Sequence, residues 1–308
     1  MADQSFQPHN SAHERQAVRA GAPRLTALFL DRPHEPDLFV RVVHPATVRA
    51  RLLFTHASLV HSEYYLPMAI QLAHWGIECW LPDLRGHGRS GGLRGHTRSW
   101  SEPVRDVIAA WQAMRAAGPV PLLLAGGESY GALLTYCAIR SGDIEPDGVT
   151  LLSPAFGLNY HPSPLVWWSL TKLAWPWAGR FRPLTPLPFS GVTEDPMVRH
   201  YIERDRLCNR RYTLGFLLNL MSAQRLVPQP NPDWSTATLL LLSEHDPITD
   251  NAVTQSVFAE SPDVTCAVCE QGLHSLVADH PDWVVDHLLN WAETVQPARR
   301  DSSSDASS

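Results

Sequence analysis

Lysine is all but missing from this chain. Of its 25 basic residues Lys172 is the single lysine and the others are arginine, a bias we attribute to genomic base composition and assign to no site. A basic excess is missing too: the formal net charge is -6, which removes the electrostatic footprint of a nucleic-acid binder. An acidic solvating tract is equally absent, so a small neutral substrate stays open. Cysteine is scarce, with Cys79, Cys137, Cys208, Cys266 and Cys269 too few and too scattered for a disulfide framework. Cys266 and Cys269 form one CxxC inside VTCAVCE, which reads as a strand, where positions three apart face opposite sides. With no second CxxC, two small strand residues are favoured over a redox or metal pair. No apolar run approaches the ~20 residues that span a bilayer. The opening MADQSFQPHNSAHERQ lacks the basic-then-apolar order of a secretory signal. A soluble, cytoplasmic protein is expected.

What is present is apolar material in short runs: 44% of the 308 residues are hydrophobic, ample for a core. Runs at 25–30, 38–44, 51–57, 77–82, 120–126, 148–154, 238–243 and 264–270 read as strands. Helical patterns fall at about 65–75, 101–117, 130–140, 251–259 and 281–295. Almost wholly apolar strands alternating with helices imply an α/β architecture whose parallel sheet is buried on both faces. The alternation stops between Pro154 and Trp234, in a stretch rich in Pro and Trp. A structureless loop of that length does not suit a compact domain, so a mostly helical insertion over one end of the sheet is expected at 155–234. The core is then 23–154 with 235–295. The tails 1–22 and 296–308 lack apolar spacing and are expected to be disordered.

The stretch LLLAGGESYGALLTY, Leu122 to Tyr136, carries the chemistry. Gly127, Glu128, Ser129, Tyr130 and Gly131 form GxSxG where an apolar strand meets a helix, the context in which the motif means a nucleophile elbow. A serine hydroxyl needs a base within hydrogen-bond reach, and that base needs an orienting carboxylate. Both are expected just after later strands. TLLLLS is followed by Glu244, His245, Asp246 and Pro247, and VTCAVCE by Gln271, Gly272, Leu273, His274 and Ser275. The order Ser129, Asp246, His274 is that of α/β-hydrolases and puts all three at the carboxyl ends of parallel strands. Rivals for the base are His245, His280 and His87. Rivals for the acid are Glu244 and Asp250, the latter as easily the N-cap of a helix starting near Asn251.

With these residues in hand, the sequence resembles the monoacylglycerol lipase and lysophospholipase branch of the α/β-hydrolase superfamily, the serine aminopeptidase-like hydrolases, over roughly 38–291. DLRGHGRSGGLRG (83–95), GESYG, SEHDPITD (243–250), QGLHSL (271–276) and VTEDPMVRHYIERDRL (192–207) carry the resemblance. It implies a mostly parallel sheet of about eight strands, a helical cap after the sixth strand, and ester hydrolysis without metal or cofactor.

One segment departs from the family pattern. Where members carry HGxGEHSxRY, this chain has HASLVHSEYY: His56, His61, Ser62 and Tyr65 match, whereas Ala57, Leu59, Val60 and Tyr64 replace two glycines, a glutamate and an arginine. The resemblance makes the N–H groups of Ser58 and Tyr130 the oxyanion donors. Backbone donors tolerate Ala57 if its φ is negative. His56 and His87 are read as structural, holding the loops beneath the elbow.

In the insertion, Trp167, Trp168, Trp175 and Trp177 sit among Leu165, Val166, Leu170, Leu173 and Ala174. They line an acyl tunnel, dip transiently into a lipid surface, or form the cap's own small core, and the residues leave these open. The expected substrates are medium- or long-chain monoacylglycerols or lysophospholipids. An aminopeptidase would need a cap carboxylate for the substrate ammonium, with Glu194, Asp195, Glu203 and Asp205 available. A ligand-binding protein on a hydrolase scaffold is the non-enzymatic alternative.

Overall fold

The computed structural model describes residues 21–159 and 191–297. Its strands are β1 (Arg24–Leu30), β2 (Leu38–His44), β3 (Ala50–Thr55), β4 (Ile77–Pro82), β5 (Leu122–Glu128), β6 (Gly148–Leu152), β7 (Ala237–Ser243) and β8 (Val264–Cys269). They form one eight-stranded sheet in the order β1-β2-β4-β3-β5-β6-β7-β8. Only the β1–β2 and β2–β4 pairs are antiparallel.

The apolar runs are unbroken because both faces are covered. Side chains alternate across a strand, and here the alternation separates two hydrophobic clusters. Leu53, Ala125, Leu240 and Leu242 join one, and Leu52, Leu124, Leu239 and Leu241 join the other. The first cluster is closed by α2 (Ser101–Ala116) and α3 (Tyr130–Arg140), the second by α1 (Leu66–His74) and α8 (Pro281–Ala292). Each fully buried leucine contributes roughly 1.5–3 kcal/mol of transfer free energy. The edge strand β8 is mostly exposed: Cys266 faces solvent and Cys269 is buried, as a strand with opposed positions requires.

The connection from β6 to β7 carries α4 (Pro196–Arg204) and α5 (Leu214–Gln224), each started by a side-chain cap, from Asp195 and Thr213 respectively. From Tyr212 onward this connection enters the main core: Tyr212, Phe216, Ala223, Val227 and Trp234 all belong to the first cluster. Trp234 stacks on Tyr136 of α3 at 4.6 Å. After β7 come α6 (Asn251–Val257) and the single turn α7 (Leu276–Asp279).

The expected strands all form, with one informative shift. β5 runs two residues past the expected end because Gly126, Gly127 and Glu128 continue the ladder with β6, and Gly126 and Gly127 pair with Phe54 and Thr55 of β3. No helix among the described residues is long and apolar enough to cross a membrane.

Candidate active site

The chain has to turn from β5 into α3 within one residue, and Ser129 makes that turn at φ 54° and ψ -113°. This is a conformation that non-glycine residues rarely adopt, and it persists only where the surroundings enforce it. Here the Ser129 N–H donates to the Leu152 carbonyl at 2.9 Å, and its own carbonyl accepts from Leu133 and Ala155, both at 3.1 Å. The motif's glycines are demanded by close approach. A Cβ on Gly127 would lie 2.6 Å from the Gly131 carbonyl carbon, and one on Gly131 would lie 2.1 Å from the Thr55 carbonyl oxygen.

Asp246 and His274 meet although 28 positions separate them: Nδ1 of His274 lies 2.8 Å from Oδ2 of Asp246. Asp246 is held from its own loop. Its Oδ1 accepts from the N–H groups of Ile248 and Thr249 at 2.8 and 3.0 Å, and Oδ2 accepts from the Thr249 hydroxyl at 2.6 Å. Burial alone would raise this carboxyl, but the neighbouring imidazole and these donors outweigh it and hold it at about 2. Burial likewise opposes protonation of His274, yet Asp246, through its charge and hydrogen bond, leaves the ring's pKa raised, with a further contribution from the charge of Glu128. The histidine loop is pinned by the segment of the β6–β7 connection that precedes α4, where the Ser275 N–H donates to the Val192 carbonyl at 2.8 Å.

The rivals are placed elsewhere. Glu244 and His245 are exposed. Asp250 caps α6, accepting from Ala252 and Val253. His280 stands at the start of α8. His87 is buried beside His56, ring centroids 5.0 Å apart, with Nδ1 2.9 Å from the Arg85 carbonyl, and burial pushes it down to about 3.

The altered loop after β3 is well held. Burial drives the His56 pKa down to about 4, so the ring is neutral near pH 7. Its Nε2 accepts from the Leu84 N–H at 2.9 Å, which leaves Nδ1 to donate to the Ala57 carbonyl at 2.7 Å. Ala57 fits its site without strain: among the described residues only His34, Ser129 and Ser153 are non-glycine residues at positive φ. The Ala57 N–H is committed to the Tyr65 hydroxyl at 3.0 Å. Tyr130 is the first residue of α3, where helix N–H groups lack intrahelical partners.

Ser58, Ser129 and His274 line one cleft of about 580 Å³. Its walls are mainly apolar, from Leu59, Val60, Tyr64, Val192 and Ile248, with Asn209 and Arg210 of the connection as polar members. Glu194, Asp195, Glu203 and Asp205 are not among the described residues lining it, whereas Glu128 is. Asp195 caps α4, Glu203 is exposed, and Asp205 sits 2.7 Å from His61. His61, Asp205 and Cys208 together have metal-ligand chemistry. The short His61–Asp205 contact is a hydrogen bond that ties the connection to the loop after β3. Trp167, Trp168, Trp175 and Trp177 lie outside the described residues.

Residues that sequence reasoning passed over surround the elbow from below. Glu128 is buried, with Oε2 2.6 Å from the Tyr65 hydroxyl and Oε1 2.9 Å from the Ser275 hydroxyl. A charged residue closing an otherwise apolar strand was the available signal.

A sheet of this order, with a serine elbow at the end of β5, is the fold of the α/β-hydrolases. The chain belongs to the family described as serine aminopeptidase, S33, whose model matches residues 46–281. An uncharacterized abhydrolase domain-containing protein of Dictyostelium discoideum is 24% identical over 83% of this chain, which spans 27% of that protein's length. A monoglyceride lipase homolog of monkeypox virus is 26% identical over 69% of this chain and 77% of its own. Among solved structures, the monoacylglycerol lipase of Paleococcus ferrophilus superposes with a TM-score of 0.71 at 20% identity, covering 84% of this chain and 99% of that one.

Proposed function

We propose that this protein hydrolyses carboxylic esters, with monoacylglycerols or lysophospholipids of medium or long acyl chain as its substrates. The observation that carries the reading is the 2.8 Å contact of His274 with Asp246, in a loop whose histidine shares a cleft with the strained Ser129. Ser129 attacks the ester carbonyl while His274 takes its proton, and His274 then protonates the departing alcohol. Water repeats the sequence on the acyl-enzyme and releases the acid. Asp246 holds the ring with Nδ1 protonated and stabilises the imidazolium. The N–H groups of Ser58 and Tyr130 take the oxyanion. Commitment of the Ala57 N–H to Tyr65 supports Ser58 as the donor from that loop.

The apolar walls and the monoglyceride lipase relative support an acyl chain as the bound group. The alternative of an aminopeptidase agrees with the family description. It needs an acidic group at the cleft for the substrate ammonium; Glu194, Asp195, Glu203 and Asp205 are not among the described residues that line it, and Glu128, which is, has its two oxygens bonded to the Tyr65 and Ser275 hydroxyls. The test is a graded panel of monoacylglycerols, lysophospholipids, nitrophenyl esters and aminoacyl amides, run on wild type and Ser129→Ala. Turnover is expected to rise from acetyl to medium-chain esters and to vanish in the variant. Equal turnover of acetyl and medium-chain esters, or activity surviving in Ser129→Ala, refutes the reading.

A further inference from the structure

The residue before the serine in GESYG is a glutamate, and its surroundings call for explanation. Glu128 ends β5, borders the cleft and is buried. An isolated carboxylate in such a place is costly unless every lone pair is served. Its two oxygens go to two different loops. Oε2 meets the hydroxyl of Tyr65, at 2.6 Å, and Oε1 meets the hydroxyl of Ser275, at 2.9 Å.

The direction of each bond follows from the next partner outward. The Tyr65 hydroxyl already accepts the Ala57 N–H at 3.0 Å, so its own proton points to Glu128. The Ser275 hydroxyl accepts from the Tyr64 hydroxyl at 3.2 Å and gives its proton to Glu128 at 2.9 Å. Both oxygens therefore act as acceptors, the bonding pattern of the ionised form, although burial outweighs these hydroxyls and the charge of His274 and leaves the carboxyl's pKa raised. One carboxylate thus ties three points together. They are the loop carrying Ser58, the elbow carrying Ser129, and the loop in which Ser275 directly follows His274. The charge also acts on His274, raising its proton affinity alongside Asp246.

We infer that Glu128 is a positioning residue that holds the oxyanion loop and the histidine loop in register with Ser129, through Tyr65 and Ser275. This rests on the ester-hydrolase reading of the same site. The titratable groups facing the pair of Glu128 and His274 are Asp246, Tyr64 and Tyr65. Burial, with the charge of Glu128, raises both phenols well above their ordinary value, and Asp246 ionises near 2. Burial raises the Glu128 carboxyl too, so His274 and Glu128 are the two groups of this cluster whose titration the pH profile reads.

The experiment compares Glu128→Gln, which keeps the shape but removes the charge, with Tyr65→Phe, which keeps the charge but cuts the link to Ala57. Steady-state kinetics on a nitrophenyl butyrate are run across pH on wild type, both variants and Ser129→Ala. Loss of a well-placed donor geometry lowers kcat by roughly 10–100-fold in both variants, with KM within about threefold of wild type. In Glu128→Gln the acid limb of kcat/KM moves to lower pH, because removing a negative charge near His274 lowers its proton affinity. In Tyr65→Phe that limb stays in place. Unchanged kcat and an unmoved limb in Glu128→Gln overturn the inference while leaving the parent reading intact. Where Glu128→Gln fails to fold, full kcat in a folded Tyr65→Phe, Ser275→Ala double variant overturns it instead. A wild type without esterase activity, or one whose activity survives in Ser129→Ala, refutes the parent reading and this inference with it.

Discussion

Asp246 offers two oxygens to three donors of its own loop and to one imidazole, which together favour its ionised form against burial. In the mechanism we propose, this anchoring makes it the orienting group and sets a pH dependence. His274 serves as a base only when neutral, and Asp246 raises its pKa. As pH falls through that raised value the ring protonates, so the acid limb of kcat/KM is expected above the ordinary imidazole value of about 6.5. Asp246→Asn is expected to cut kcat by about 10³–10⁴ and to move that limb to lower pH, since the charge raising His274 is gone. A limb at or below the ordinary value in wild type contradicts the assignment. Ser129, Asp246 and His274 stood out in sequence as candidates because each follows an apolar run, in a fixed order. Glu128 did not, because its partners lie 63 and 147 positions away and one sequence does not show what folds against what.

At the scale of elements, the acid loop and α6 share a short segment, and two aspartates divide its work. Asp250 accepts from Ala252 at 2.9 Å and from Val253 at 3.2 Å, which serves the first turn of α6. Asp250→Ala is expected to cost about 1 kcal/mol in urea unfolding. Its kcat should stay within about tenfold of wild type, in contrast to Asp246→Asn. A collapse of kcat in Asp250→Ala with normal stability would reverse the two roles. Strands and long helices were readable because buried periodicity follows from their geometry. The single turn α7 and the last residues of β5 were not: four residues carry no period, and glycines look like a strand's end when their ladder partners are unknown.

For the whole molecule, the connection between β6 and β7 is clasped by the loop 83–95. The Asn209 side chain donates to the Gly86 carbonyl at 2.8 Å, the Thr213 N–H donates to the Gly95 carbonyl at 2.9 Å, and Arg94 bonds the Leu207 carbonyl. Asn209 also lines the cleft, so this clasp fixes one of its walls. Asn209→Leu is expected to raise KM for a medium-chain monoglyceride by roughly 3–10-fold while sparing that of nitrophenyl acetate, which reaches less of the wall. Equal effects on both substrates would separate the clasp from acyl binding.

That the latter part of this connection belongs to the core was not visible in the sequence. Phe216, Val227 and Trp234 suit a small core of the insertion equally well. The reason lies in direction: β6 and β7 are parallel neighbours, so polypeptide leaving the carboxyl end of the first must travel back along the sheet to begin the second. The leg containing α5 makes that journey, packed on α3 through Phe216 and Tyr130 at 5.1 Å. A chimera that borrows a cover from another hydrolase therefore has its downstream splice before Tyr212. Joined at Trp234 instead, the recipient would forfeit its own return leg and, with it, the packing on which α3, the helix that follows Ser129, rests.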